Sequence, residues 1–256
     1  MSADRGRAGG SRGAMRGGRR SGDGSGITVV LFDVDGTLLT TGGAARLAFA
    51  RALSEAAGRP IDPEGHSFSG KTDPQIARDI LTAHGLSGAE LAACIPEAIR
   101  LYLRCFAEAV PRSAGARLMP GVRELLQALA ARPEARTGLL TGNVEPGARL
   151  KLDRFGLTGF FDFALSCFGS DDIDRYRLPA LALERARRTL GAPIAGRQIV
   201  LVGDSEHDVL CGRSIGARAV AVGTGWTSAA TLRSLRPDAF LEDLSDTPRA
   251  IDAILP

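Results

Sequence analysis

The segment that most constrains this chain is Leu31-Phe-Asp-Val-Asp-Gly-Thr-Leu38, together with the apolar run leading into it. Ile27-Thr-Val-Val-Leu-Phe32 is rich in β-branched residues, the pattern of a strand buried on both faces of a parallel sheet. Two aspartates follow at once. In an extended segment residues i and i+2 share a side. Asp33 and Asp35 therefore set two carboxylates close enough to repel unless a cation or a shared proton intervenes. Gly36 allows a sharp turn, and Thr37 adds a hydroxyl and a backbone N–H. In isolation the motif reads equally well as an Asp/Gly turn.

Recurrence of the pattern decides against a simple turn. After residue 27 the chain alternates strand and helix signals. Further strands are predicted at Arg136-Thr-Gly-Leu-Leu-Thr141, Phe161-Asp-Phe-Ala-Leu-Ser166, Gln198-Ile-Val-Leu-Val202 and Ala217-Arg-Ala-Val-Ala-Val222, with a short one at 239–241. Helical periods are predicted near 43–58, 73–84, 88–108, 121–132, 145–155, 178–190, from 206 and near 227–235. Ser87-Gly-Ala-Glu90 reads as a capping box for the third of these. Such alternation implies an α/β fold with a parallel sheet covered on both faces. The purely helical block 43–115 interrupts it just past the carboxyl end of the first strand, where open α/β sheets bind ligands. It is expected to form a lid, dividing the chain into a tail (1–26), a core (27–42 and 116–256) and a helical cap (43–115).

Carboxylates and hydroxyls recur at the strand ends. The strand at 198–202 runs into Gly203-Asp-Ser-Glu-His-Asp208, and the strand at 136–141 into Thr141-Gly142-Asn143. In a parallel sheet these ends lie on one side, so Asp33, Asp35, Thr141, Asp204 and Asp208 should converge. So many carboxylates require a hard cation, and oxygen ligands with little histidine select Mg²⁺.

On these motifs the chain resembles the haloacid dehalogenase-like phosphatases with a helical cap inserted after the first strand, of the phosphoglycolate phosphatase-like kind. The resemblance covers about 27–245. It implies a Rossmann-like core. Asp33 would be the nucleophile that becomes an aspartyl-phosphate, and Asp35 the acid that protonates the leaving oxygen and then activates water. Mg²⁺ would be held by Asp33, the Asp35 backbone carbonyl and Asp204, with Asp208 nearby. Gly36, Thr37, Thr141, Gly142 and Asn143 would contact the phosphate. Asp35 also speaks against dehalogenation, because the dehalogenases of this family lack an acid there. The family's third motif calls for a lysine or arginine after the third strand; Asp171-Asp-Ile-Asp-Arg-Tyr-Arg-Leu-Pro179 offers Arg175 and Arg177, and Arg175 is favoured. The expected substrate is a small phosphorylated metabolite, hydrolysed as a phosphomonoester. A phosphosugar mutase with the same residues, and a non-catalytic or RNA-associating protein with an inherited fold, are the alternatives.

Other features are weaker. Gly65-His-Ser-Phe-Ser-Gly70-Lys71-Thr72 satisfies the P-loop pattern, but Arg59-Pro-Ile-Asp-Pro-Glu64 ahead of it cannot be a strand. Lys71 is a candidate substrate contact from the cap, or else a solvated lysine at a helix start. Lys151, the only other lysine, is expected to be solvated, and Trp226 to pack. The apolar positions of 88–108 (Leu91, Cys94, Ile95, Ile99, Tyr102, Leu103, Phe106) are expected to form cap core. His66, His84 and His207 are too far apart for a metal triad. Ser205 and His207 lack a nucleophile elbow.

The formal charge of +3 belongs to the first 26 residues, which hold six arginines and two aspartates; the rest carries −1. That Arg/Gly-rich tail is expected to be disordered and is the only plausible nucleic-acid contact. No apolar run reaches the ~18 residues of a membrane helix. The four cysteines form no Cys-x-x-Cys pair and read as idle thiols in a reducing cytoplasm. The oligomeric state is not encoded legibly.

Overall fold

A computed structural model describes residues 26–255; the Arg/Gly-rich tail lies outside these but for Gly26. Five strands form one parallel sheet: β1 (Thr28–Phe32), β4 (Ala135–Leu139), β5 (Ile199–Gly203), β6 (Arg218–Val222) and β7 (Ala239–Leu241), in the order β4-β1-β5-β6-β7. The register sets Val30 beside Thr137 and Val200, and Val202 beside Val220.

Strand periodicity assigns alternate residues to opposite faces. Val30, Phe32, Val200, Val202, Val220 and Val222 pack on one face against α4 (Val122–Ala130), α5 (Glu145–Asp153) and α9 (Thr247–Ile254). Val29, Leu31, Ile199 and Leu201 pack on the other, against α6 (Leu178–Leu190). Two shorter helices, α7 (Glu206–Cys211) and α8 (Ala229–Ser234), flank β6, whose Ala219 and Ala221 pack with Val209 and Leu232. This is the α/β architecture that an uninterrupted apolar strand pattern demands.

Between β1 and β4 stand three cap helices, α1 (Ala44–Ala57), α2 (Asp73–Ala83) and α3 (Gly88–Ala109), with their own core around Phe49, Leu53, Ile80, Tyr102 and Phe106. Cys94, Tyr102 and Phe106 of the α3 stripe are buried there, and Leu91, Ile95, Ile99 and Leu103 pack against that core. The chain leaves and rejoins the sheet domain through an antiparallel ribbon, β2 (Leu39–Thr41) with β3 (Ala116–Leu118). Neither short strand shows in the sequence pattern. Ser113 Oγ donates to the Thr41 carbonyl at 2.6 Å, tightening that junction.

Two expectations of local structure are corrected. Phe161–Ser166 is not a strand. Asp162 accepts from Ala164 N at 2.8 Å and from Leu165 N at 3.2 Å, folding the segment into a turn. Asp162 N to Thr137 O and Cys167 N to Leu139 O, both 2.8 Å, with Leu139 N to Ser166 Oγ at 2.9 Å and Thr141 N to Cys167 O at 3.1 Å, keep it along β4. Ser87 starts α3 without capping it by its side chain, because Gly88 takes a left-handed conformation (φ 54°) at the first helical position. Gly65–Thr72 joins two cap helices with no strand before it, so its P-loop spelling has no P-loop context. Among the described residues no helix is long and apolar enough to cross a membrane, and all four cysteines are buried and free.

Candidate active site

Because β4, β1 and β5 are adjacent and parallel, their carboxyl ends deliver Thr141, Asp33 with Asp35, and Asp204 to one edge. Backbone bonds continue just past the strands: Asp33 N donates to Val202 O and Leu140 N to Phe32 O, both at 2.9 Å. The loops therefore start from a fixed frame. Asp208 arrives from α7, whose cap residue Ser205 donates to Asp208 Oδ2 through N (2.9 Å) and Oγ (2.6 Å). Arg175 arrives on a turn before α6 that Asp174 caps by accepting from Tyr176 N at 3.0 Å.

Arg175 is 3% exposed. Its Nη2 lies 3.2 Å from Asp33 Oδ1 and also bonds Asp208 Oδ1. Arg177 points away, with a 71% exposed side chain near Asp172 and Asp174. The structure thus brings together Asp33, Asp35, Thr141, Asp204, Asp208 and Arg175, and leaves Arg177 outside.

Carboxyl oxygens of Asp33, Asp204 and Asp208 lie within 4.8 Å of one another, all buried, facing a single arginine. Burial is the main force pushing Asp33 up to about 6. Asp208 and Asp35 add to it, while Arg175 and a Thr141 hydrogen bond oppose it. Burial, then Asp208 and Asp33, raise Asp204 well above the ordinary carboxylate range, against a hydrogen bond from Thr37. Burial alone would weaken Arg175 as a cation, but Asp208 and Asp33 outweigh it and hold its charge firmly. Buried like charges of this kind are relieved by a cation.

The donor set fits one. It is all oxygen, as a hard divalent ion requires. Both Asp208 oxygens are already engaged by Arg175 and Ser205, so Asp33 and Asp204 carry the oxygens open to a metal. The space beside Asp204 is kept by two glycines. A Cβ on Gly36 (φ 85°) would stand 2.6 Å from Asp204 Oδ2, and one on Gly225 only 1.6 Å from it. Thr224 Oγ1 donates to the Gly36 carbonyl at 2.6 Å, tying the loop after β6 to the loop after β1. Gly225 and Thr224 were not apparent as site residues; the only signal was Gly-Thr-Gly at a strand's carboxyl end.

Lys151 overturns its expectation outright. It is 3% exposed, not solvated, and its Nζ lies 2.5 Å from both Asp35 Oδ2 and Asn143 Oδ1. Asn143 Nδ2 in turn donates to Asp35 Oδ2 at 2.9 Å and to Thr141 Oγ1 at 2.8 Å. The Asn143 N–H is engaged by Thr141 Oγ1 at 3.3 Å, which competes with its expected role toward phosphate.

A cavity of about 590 Å³ lies between these groups and the cap. Its core side holds Asp33, Asp35, Gly142, Asn143, Arg175 and Asp204; its cap side holds Arg46, Phe49, Phe68, Lys71 and Tyr102. Lys71 is spoken for by Asp79 at 2.9 Å. Trp226 also lines the cavity and is 68% exposed, against the expectation that it packs.

The cap is clasped to the core at α2. Thr72 caps that helix by accepting from Gln75 N (3.2 Å) and donates to the Ile173 carbonyl (2.8 Å). Asp73 N donates to Gly142 O, and Asp73 Oδ2 accepts from Val144 N, each at 2.8 Å. Burial pushes Asp73 up to about 6, although Lys151 and the Val144 bond pull it back.

A parallel sheet with acids along its carboxyl edge, roofed by an inserted helical cap, defines a capped Rossmann-like α/β protein with a buried acidic site. The family model of haloacid dehalogenase-like hydrolases matches residues 27–216, and the chain belongs to that family. It is 30% identical over 200 residues to a phosphoglycolate phosphatase of Rhodospirillum rubrum, covering 77% of this chain and 80% of that one. It is 29% identical over 111 residues to the pyrophosphatase PpaX of Halalkalibacterium halodurans, a match to 43% of this chain and only 49% of that protein. The crystal structure of CbbY from Rhodobacter sphaeroides in complex with phosphate superposes with a TM-score of 0.67 at 21% identity, covering 86% of this chain and 96% of that one. The chain is thus a haloacid dehalogenase-like hydrolase of the phosphatase kind.

Proposed function

We propose that the protein hydrolyses small organic phosphomonoesters, phosphoglycolate among the candidates, with Mg²⁺ as cofactor. The observation that carries this reading is the approach of Arg175 to Asp33 at 3.2 Å, at the floor of a cavity flanked by Asp35 and Asp204. A carboxylate nucleophile needs its target held and charge-neutralised, which is most of what phosphoryl transfer asks of a protein.

An Asp33 oxygen forms the new bond to phosphorus while the ester P–O bond breaks. The electron pair goes to the leaving oxygen, which takes a proton from Asp35. Water, activated by the same Asp35 carboxylate, then cleaves the aspartyl-phosphate, freeing phosphate and returning the proton to Asp35. Arg175 faces the transferred group; its Nε is buried with no partner, a donor that a phosphoryl oxygen would satisfy. Thr141 supplies a hydroxyl at the cavity wall, whereas the Thr37 hydroxyl, expected at the phosphate, is buried and donates to Asp204 Oδ1 at 2.9 Å, holding that carboxylate. Asp33, Asp204 and the Asp35 carbonyl would hold Mg²⁺, with Asp208 in support. That ion supplies neutralisation of the charge on the phosphoryl oxygens.

Phosphate release from 2-phosphoglycolate, sugar phosphates, glycerol 3-phosphate and p-nitrophenyl phosphate, with Mg²⁺ and with EDTA, tests the reading. Turnover should require the metal. Asp33→Asn should abolish it by at least about 10³-fold, the scale for losing a nucleophile, while melting as the wild type does. An Asp33→Asn protein as active as wild type would refute it.

A further inference from the structure

We propose, on the basis of the phosphatase reading above, that Lys151 is a positioning residue: it pins one oxygen of Asp35 so that the other meets the leaving oxygen. The motifs quoted above do not include this lysine, which stands in the last turn of α5 and lines the cavity beside Asp35 and Asn143.

The geometry makes the case. Asp35 stands on a loop with its side chain 29% exposed, free enough to rotate if nothing held it. Two donors hold the same oxygen, Oδ2: Lys151 Nζ at 2.5 Å and Asn143 Nδ2 at 2.9 Å. Both bonds leave Oδ1 untied, and Asp35 lines the cavity. Lys151 also fixes Asn143. An ammonium can only donate, so Asn143 must turn Oδ1 toward it, and its NH₂ is thereby aimed at Asp35 and Thr141. One side chain thus sets the orientation of two site residues.

Lys151 is itself rigid. Ala148 and Leu152 bury the same face of α5, and the Phe106 ring of the cap lies 5.7 Å from Nζ. Such a cation costs a great deal to bury unless partnered, and its partners are functional groups rather than an idle surface acid.

The inference predicts a dependence on leaving group. An alkyl oxygen must be protonated as its bond to phosphorus breaks, whereas p-nitrophenolate departs as a stable anion. Lys151→Met should therefore lower kcat/KM for 2-phosphoglycolate, or whichever alkyl ester of the panel is hydrolysed fastest, by about 10²-fold or more, the usual share of a general acid. For p-nitrophenyl phosphate the loss should be under about tenfold. Lys151→Arg, which keeps a cationic donor, should recover most of the alkyl activity. Lys151→Gln serves in its place if the methionine variant fails to fold by circular dichroism. Equal losses on both esters, or none, would overturn the role of Lys151 while leaving the phosphatase reading intact. A wild type that hydrolyses no ester of the panel would instead overturn that reading, and this inference with it.

Discussion

A methyl group is the smallest probe of how tightly the acidic site is built. At Gly225 a Cβ would fall 1.6 Å from Asp204 Oδ2, closer than any contact atoms tolerate, so either the loop after β6 or the Asp204 side chain must move. Displacements of about 1 Å at such centres cost roughly 10² in rate. Gly225→Ala should thus lower kcat/KM by about that factor and raise the Mg²⁺ concentration needed for half-maximal activity; a metal titration of turnover reads both. Wild-type behaviour would show that Asp204 is not held for a metal. At this scale the sequence was legible where residues follow strands: Asp33, Asp35, Thr141 and Asp204 are placed by sheet topology alone. Lys151 was not, because a lone lysine on a helix usually reaches water. Its phase does give it away in hindsight. Gly147, Ala148 and Leu152 are the buried positions of α5, and residue 151 falls among them at helical spacing.

Among the elements, α2 joins the two halves of the molecule, and its first residue carries a pH dependence. Asp73 is buried, and its pKa of about 6 lies above the ordinary 3.8. Between these values the folded chain keeps a proton that the unfolded chain has released, so this residue makes stability fall as pH rises through that window. Asp73→Asn removes the effect while retaining an acceptor for Val144 N. The stability of the variant relative to wild type should increase from pH 4 to pH 7 by up to about 3 kcal/mol, since a pKa unit corresponds to about 1.4 kcal/mol. Urea unfolding at both pH values measures it, and parallel curves for the two proteins would count against the assignment. Element type was legible wherever apolar runs were long, as in β1, β5 and β6. It failed at Phe161–Ser166, where apolar alternation was outvoted by the turn chemistry of Asp162. The ribbon β2–β3 escaped notice because three residues per strand carry no period, and its partners are far apart in the chain.

On the scale of the whole molecule, the cap helices hold a hydrophobic core of their own, apart from those packed on the sheet, and the cavity lies between that cap and the polar carboxyl edge of the sheet. The sequence located the inserted helices by their position after the first strand, yet gave no sign of which groups would look inward. Pocket-facing residues such as Arg46 and Phe68 come from segments whose orientation depends on how the cap meets the sheet. One of the inward-looking groups has a practical consequence. Trp226 is the chain's single tryptophan and stands largely in solvent at the cavity wall. Its indole is thus a natural optical reporter at the place where substrate must pass. Titrating the Asp33→Asn protein with p-nitrophenyl phosphate should quench its emission saturably, and Trp226→Phe should abolish the signal. Unchanged fluorescence at saturating ester would mean that ligands bypass this wall. Occupancy of the site can then be followed by light alone, before any bond is broken.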